Sequence, residues 1–204
     1  MKFLVSTAAA AFLAAPTVSA VEIFEINLTP DQVVPFGDAT SPVGSDALGS
    51  GTLTLDLDGP DGPTLAYDID FTGISIDPAD DSFVQGIHIH IGAPGTNGPH
   101  ALNIFGLPRV DDADAVFTGT SLTGLWDDGD ENDNGDGVRD PGDSIALTDA
   151  LDDLRSGNLY LAIHTAEFPL PNTGELRGQI VPIPEPATLG LLAVGSLGLI
   201  RRRR

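Results

Sequence analysis

Residues 52–72 constrain the fold of this chain more than any other stretch. They read T-L-T-L-D-L-D, then G-P-D-G-P, then T-L-A-Y-D-I-D-F-T. In each arm apolar and polar residues alternate, which is the period of a strand with one face buried. The Gly/Pro/Asp cluster at 58–63 is a turn signal, so the stretch predicts a hairpin with a six-residue turn. Weaker versions of the pattern recur at 22–28, 116–122, 158–164 and 175–181, the last two expected to pair through a turn at 169–174. Residues 38–50 and 77–82 read as loops. The 24 glycines and 16 prolines fit many turns between short strands and argue against long helices. The expectation is an all-β domain, an antiparallel β-sandwich or Greek-key barrel. Helix is expected only as a single turn at 151–156 and as a short hydrophobic helix near the C-terminus.

The two ends differ from the middle. Residues 1–20 carry Lys2, an apolar run and the small-residue site Val18-Ser19-Ala20, the layout of a secretory signal peptide. Residues 182–204 contain Pro184-Glu185-Pro186, an apolar run over 187–200 and the cluster Arg201–Arg204. That run is shorter than the roughly 20 residues of a comfortable membrane span. It predicts a transient or permanent membrane contact, with the arginines on the cytoplasmic side. The domain proper is therefore expected over 21–181, with an insertion at 126–144.

Formal net charge is −21 and the only lysine is Lys2. Between the two ends the basic residues are Arg109, Arg139, Arg155 and Arg177, in a chain with 30 acidic side chains. Such a surface repels nucleic acid and keeps a protein dispersed. There is no cysteine, so no disulfide supports the fold.

Three of the four histidines fall in residues 86–100, G-I-H-I-H-I-G-A-P-G-T-N-G-P-H. His88 and His90 alternate with Ile87, Ile89 and Ile91, so one strand face is apolar and the other carries both imidazoles, roughly 6.6 Å apart at two strand rises. Rings at that spacing can converge on one metal ion, whose bonds to nitrogen are about 2.0–2.1 Å. The Gly/Pro-rich loop that follows is expected to swing His100 back over the same face. His164 ends the strand-like run 158–164, expected beside the histidine strand.

The insertion reads W-D-D-G-D-E-N-D-N-G-D-G-V-R-D-P-G-D-S over 126–144. Asn132, Asn134, Asp136, Asp140 and Asp143 fall at calcium-loop spacing, with Gly137 at the sharp turn and Val138 behind it. Hard Ca²⁺ takes oxygen ligands of this kind and offsets carboxylate repulsion.

These segments resemble the CHRD domain, first noticed in chordin and common in bacterial secreted proteins. The similarity lies in H-I-H-x-G at 88–92, the loop start Ala93-Pro94-Gly95, the run 158–180, Gly49-Ser50-Gly51-Thr52, and L-T-P-D-Q-V-V-P at 28–35, where valine at 33 or 34 replaces a usual Glu. The resemblance implies an extracellular all-β domain without an established activity. The tail resembles the PEP-CTERM sorting signal, which implies handling by an exosortase and delivery to the outer surface or extracellular matrix of a Gram-negative bacterium. The order H-I-H, G-P-H and a distant strand-borne His is also similar to the copper ligands of copper/zinc superoxide dismutases. That likeness implies His88, His90, His100 and His164 as copper ligands and Arg177 as a substrate-guiding arginine. The loop is shorter than in that family, two zinc histidines are absent, and there is no disulfide. No nucleophile motif, phosphate loop or Ser/His/Asp constellation is present. The expected function is a non-enzymatic, metal-binding surface or matrix domain with a glycan or protein partner; the alternative is a copper enzyme of dismutase type.

Overall fold

The computed structural model describes residues 21–35, 44–132, 142–169 and 174–184. Among them run nine strands: β1 (Glu22–Leu28), β2 (Leu48–Asp56), β3 (Thr64–Thr72), β4 (Val84–Ile91), β5 (His100–Gly106), β6 (Val116–Phe117), β7 (Ser121–Trp126), β8 (Leu159–Thr165) and β9 (Leu176–Pro182). One helix, α1 (Leu147–Arg155), joins β7 to β8. The order across the sheet is β5-β4-β8-β9-β1-β2-β3-β7-β6. Every neighbouring pair of strands is antiparallel. The sheet curls until its two edges nearly meet, and Phe105 of β5 lies 5.1 Å, ring to ring, from Phe117 of β6. The all-β expectation holds, in the form of a nearly closed barrel-like sheet.

The barrel interior follows from alternation. β1 points Phe24, Ile26 and Leu28 inward, β3 points Leu65, Tyr67, Ile69 and Phe71 inward, and β4 points Ile87 and Ile89 inward; all are at most 3% exposed. Burying each large apolar side chain stabilises the fold by about 1.5–3 kcal/mol. Trp126, fully buried at the end of β7, satisfies its indole by donating from Nε1 to the Ile145 carbonyl at 3.2 Å.

The hairpin β2–β3 and the pairing of β8 with β9 are as expected, and four differences stand out. The run 116–122 is not one strand: Gly119, at φ 89°, turns it into the hairpin β6–β7. β2 starts at Leu48, inside the stretch read as a loop, and pairs along its whole length with β3. β5 occupies residues assigned no strand, because its centre is buried on both faces and shows no alternation. α1 is nine residues long and begins at Leu147 rather than Leu151. Leu147, Ala150 and Leu154 form its buried stripe, while Asp149, Asp152 and Asp153 make the rest of the segment read as a polar loop. Asp128 caps it from the preceding loop, with Oδ1 accepting from Thr148 N and Oδ2 from Thr148 Oγ1, both at 2.8 Å. The signal segment 1–20, the apolar tail with its expected helix, and residues 133–141 of the insertion lie outside the described residues.

Candidate metal centre

β4 sits between β5 and β8, and that position assembles the histidines. In register, His90 faces His100 on β5 and Tyr160 on β8, His88 faces Asn103 and Ala162, and Gly86 faces His164. Two bulges in the β4–β5 pairing, between Ile87 and His88 and between Ile89 and His90, shift β5 along its partner. The loop thus brings His100 back over the face of His88 and His90, as the first residue of β5 opposite His90. Because Ile87 and Ile89 occupy the barrel interior, His88 and His90 stand on the outer face, yet that face is covered: His88 is 0% exposed, His90 9% and His164 7%.

The rings form a tight group. Centroids are 5.7 Å apart for His88 and His90, 4.5 Å for His88 and His100, and 4.4 Å for His90 and His100. One ring nitrogen from each of these three lies within 4.8 Å of the other two. Two nitrogens on one ion are at most about 4 Å apart, given bonds of about 2.0–2.1 Å, so small side-chain rotations close the set. His164 is not part of that three-membered group; its ring centroid is 5.5 Å from that of His88.

Hydrogen bonds assign a tautomer to each ring. His88 donates from Nε2 to the Leu107 carbonyl at 2.5 Å, and its buried Nδ1 has no partner. His90 donates from Nδ1 to the Gly98 carbonyl at 3.0 Å, and its buried Nε2 has no partner. His100 donates from Nδ1 to Asn103 Oδ1 at 2.6 Å, so its lone pair is on Nε2. A buried polar atom without a partner costs about 1–3 kcal/mol. Two such lone pairs in one three-histidine group are the feature that a bound cation would satisfy. Burial, and then repulsion from His100 and His164, pushes His88 down to about 3. Burial followed by His100 and His88 holds His90 well below the ordinary imidazole range, and burial also lowers His100. The rings are therefore neutral at neutral pH, the form that coordinates a metal.

Sequence reasoning named Arg177 in another role and missed the other parts that hold the rings. Tyr160 stacks on His90, with centroids 5.0 Å apart and planes at 5°. Arg177 Cζ lies 3.6 Å from the centroid of the Tyr160 ring. Since β8 runs between β4 and β9, Tyr160 stands between Arg177 and His90. Arg177 is 3% exposed, and burial lowers its pKa. Its Nη2 donates to the Ala93 carbonyl at 3.2 Å and Nη1 to Asn97 Oδ1 at 3.3 Å. Gln179 Nε2 donates to the Gly92 carbonyl at 2.8 Å, and Gly98 N donates to Tyr160 Oη at 3.2 Å. Together these bonds fix the 92–98 loop whose Gly98 carbonyl orients His90. Gly98 is required there, because a Cβ would lie 1.6 Å from the Ile91 carbonyl oxygen. A lone asparagine in the apolar run A-L-N-I-F is the one available sequence signal for Asn103, which is 0% exposed.

Of the calcium-type residues, Asn132 and Asp143 are described, and Asn134, Asp136 and Asp140 lie outside the described residues. Both ends of the loop converge on Asp111. Asn132 Nδ2 donates to Asp111 Oδ1 at 2.9 Å, and Asn132 N donates to the Ser144 carbonyl at 3.2 Å. Arg109 bridges Asp111 and the buried Asp143, with Nε–Oδ2 3.2 Å and Nη2–Oδ1 2.5 Å. Hydrogen bonds from Ser144, Asn103, Asn132 and Arg109 outweigh burial and lower the Asp111 carboxyl.

A second titratable group lies around Tyr67 of β3, and its Asp112 also donates from N to the Asn103 carbonyl at 3.3 Å. Tyr67 donates to Asp112 Oδ2 at 2.5 Å, and burial followed by that carboxylate raises the phenol. Burial also pushes Asp112 up to about 6 and Asp130 up to about 7.

Residues 182–204 match the PEP-CTERM protein-sorting motif, a signal recognised by an exosortase that marks export to the cell envelope of Gram-negative bacteria. No curated protein and no solved structure matches the chain. Residues 24–180, which run from Phe24 of β1 to Ile180 of β9 and take in all or most of every strand described above, match the CHRD domain; the chain belongs to the CHRD-domain family.

Proposed function

We propose that this exported β-domain is a non-enzymatic surface or matrix protein that holds one copper ion at His88, His90 and His100, with His164 as the candidate fourth ligand. The observation that carries the reading is the pair of buried, unpartnered nitrogens, His88 Nδ1 and His90 Nε2, in a three-histidine group spanning 4.8 Å. An all-imidazole set suits copper, and Cu²⁺ leads the affinity order of divalent first-row metals. A dismutase would also need a positive approach for its anion. The net charge of −21 and the engagement of Arg177 with Ala93, Asn97 and Tyr160 favour the binding reading. The acidic insertion is proposed to take Ca²⁺, because Asn132 and Asp143, its first and last template positions, are drawn to one place around Asp111. A glycan or protein at the cell surface is the proposed partner. The test of the copper reading is titration of the purified, metal-free protein with Cu²⁺ at neutral pH, followed by electron paramagnetic resonance. Stoichiometric binding with nitrogen hyperfine structure, lost in His88→Ala, is expected; a protein that ignores Cu²⁺ refutes it.

A further inference from the structure

We infer that Asn103 and Asp111 are positioning residues of the metal centre, fixing His100 in its Nδ1–H form and tying it to both ends of the acidic loop. The inference rests on the copper reading of His88, His90 and His100. The main chain orients His88 and His90, through the carbonyls of Leu107 and Gly98. His100 instead donates to a side chain, Asn103 Oδ1.

The direction of that amide is forced. Asn103 Nδ2 donates to Asp111 Oδ2 at 2.7 Å, to the Gly142 carbonyl at 2.9 Å and to Ser144 Oγ at 3.2 Å. Reversing the amide would set its oxygen against a carboxylate and a carbonyl, in a site with no exposure to water. The oxygen must therefore face His100 and accept its Nδ1–H. In water the neutral imidazole prefers the Nε2–H form, so this contact reverses the ring's intrinsic preference and puts the lone pair on Nε2.

Asp111 locks the amide in turn. Its Oδ2 accepts from Asn103, from Ser144 Oγ at 2.6 Å and from Arg109 Nε at 3.2 Å, while Oδ1 accepts from Asn132. A carboxylate behind an amide behind a histidine is an outer-shell chain, and losing such a partner typically lowers metal affinity about 10–100-fold. The chain also joins Asn132, Gly142 and Ser144 to His100, so the anchoring of the acidic loop and the geometry of the metal centre are one network.

The test uses long-range ¹⁵N–¹H correlation spectra of the histidines in the metal-free protein, with Cu²⁺ titration of the wild type, Asp111→Asn and Asn103→Leu. Wild-type His100 is expected in the Nδ1–H form. In the variants His100 should shift toward Nε2–H while His88 and His90 keep their tautomers, Cu²⁺ should bind about 10–100-fold more weakly, and the hyperfine pattern should change. A wild-type His100 in the Nε2–H form overturns the inference without any variant or metal. Variants that keep both the tautomer and the affinity overturn it while the copper reading stands. A wild type with the expected tautomers that ignores Cu²⁺ removes the copper reading, and the positioning role falls with it.

Discussion

The two halves of the sheet are built on different terms. β1, β2, β3 and β7 bury one face and leave the other open; β3 alternates without a break, with Asp68 and Asp70 exposed between buried Tyr67, Ile69 and Phe71. β4, β5, β8 and the first part of β9 are buried on both faces. Their outer layer is polar: His88, His90, Asn103, Tyr160, His164 and Arg177 all lie under the loops, none more than 9% exposed. A buried polar group contributes at best about 0.5–1.5 kcal/mol once hydrogen-bonded and costs more if left alone. Stability therefore accounts for the first half, whereas in the second half the polar layer is arranged around the histidines at a cost to the fold.

The largest effect belongs to the one-sided half. Trp126→Ala should destabilise the protein by about 3–5 kcal/mol, the range for a buried Trp or Phe truncation. It also leaves the Ile145 carbonyl without the indole donor. Chemical denaturation measures the loss, and the folded fraction should keep the wild-type copper affinity. A matching loss of copper affinity would show that the halves are not separable.

Calcium comes next. If the acidic loop binds Ca²⁺ only when folded, a hundredfold excess over Kd stabilises the protein by about 2.7 kcal/mol. Through Asp111 the effect should reach the two-sided half first. Thermal melts with millimolar calcium and with chelator are expected to separate clearly, and coincident melts would remove the calcium proposal.

Acid should act with opposite sign on the histidines and on two raised carboxyls. His88 and His90 are neutral in the fold and titrate near 6.5 when unfolded. Their depressed values leave stability intact above that pH and erode it as pH falls, by about 2 kcal/mol at pH 5 for a His88 lowered to about 3. Asp112 and Asp130 are raised, so their carboxyls add stability as pH falls from about 7 toward 4. Metal-free Asp130→Asn should gain stability at pH 8, with the difference vanishing near pH 4. Replacing both histidines should flatten the acid loss. Melts from pH 8 to pH 4 that leave the double variant parallel to wild type would contradict the histidine assignment.

The same division explains what the sequence could reveal. β1 and β3 match the alternating stretches residue for residue, because one wet face writes a period of two into the chain. β5 has no such record: Ala101, Leu102, Asn103 and Ile104 are all buried, and burial on both faces erases alternation. The histidines were legible because His88 and His90 interrupt isoleucines. Their orienting groups were not, since two are main-chain carbonyls, at Leu107 and Gly98, in the segments just before and just after β5. Arg177 entered through the dismutase likeness as a substrate-guiding arginine, but its burial behind Tyr160 depends on β8 lying between β4 and β9, which is a property of topology. α1 was hidden by its aspartates.

The smallest expected change in stability tests the comparison most sharply. His90→Phe keeps a flat ring against Tyr160, where the native stack is 5.0 Å between centroids and nearly parallel. It deletes the unpartnered Nε2 and with it a standing cost. It also deletes the Nδ1 bond to the Gly98 carbonyl, but Gly98 is only half-buried in an exposed loop, so water can take the donor's place. The two terms oppose each other, and metal-free stability should change by no more than about 1 kcal/mol at neutral pH. Copper binding should fall by more than the 10–100-fold that losing an outer-shell partner costs, because a ligand itself is gone. Paired denaturation and Cu²⁺ titration read both numbers on one sample. A loss of 3 kcal/mol or more would make His90 a structural residue like Trp126, whereas near-native stability without copper binding would assign the buried polar layer to the metal.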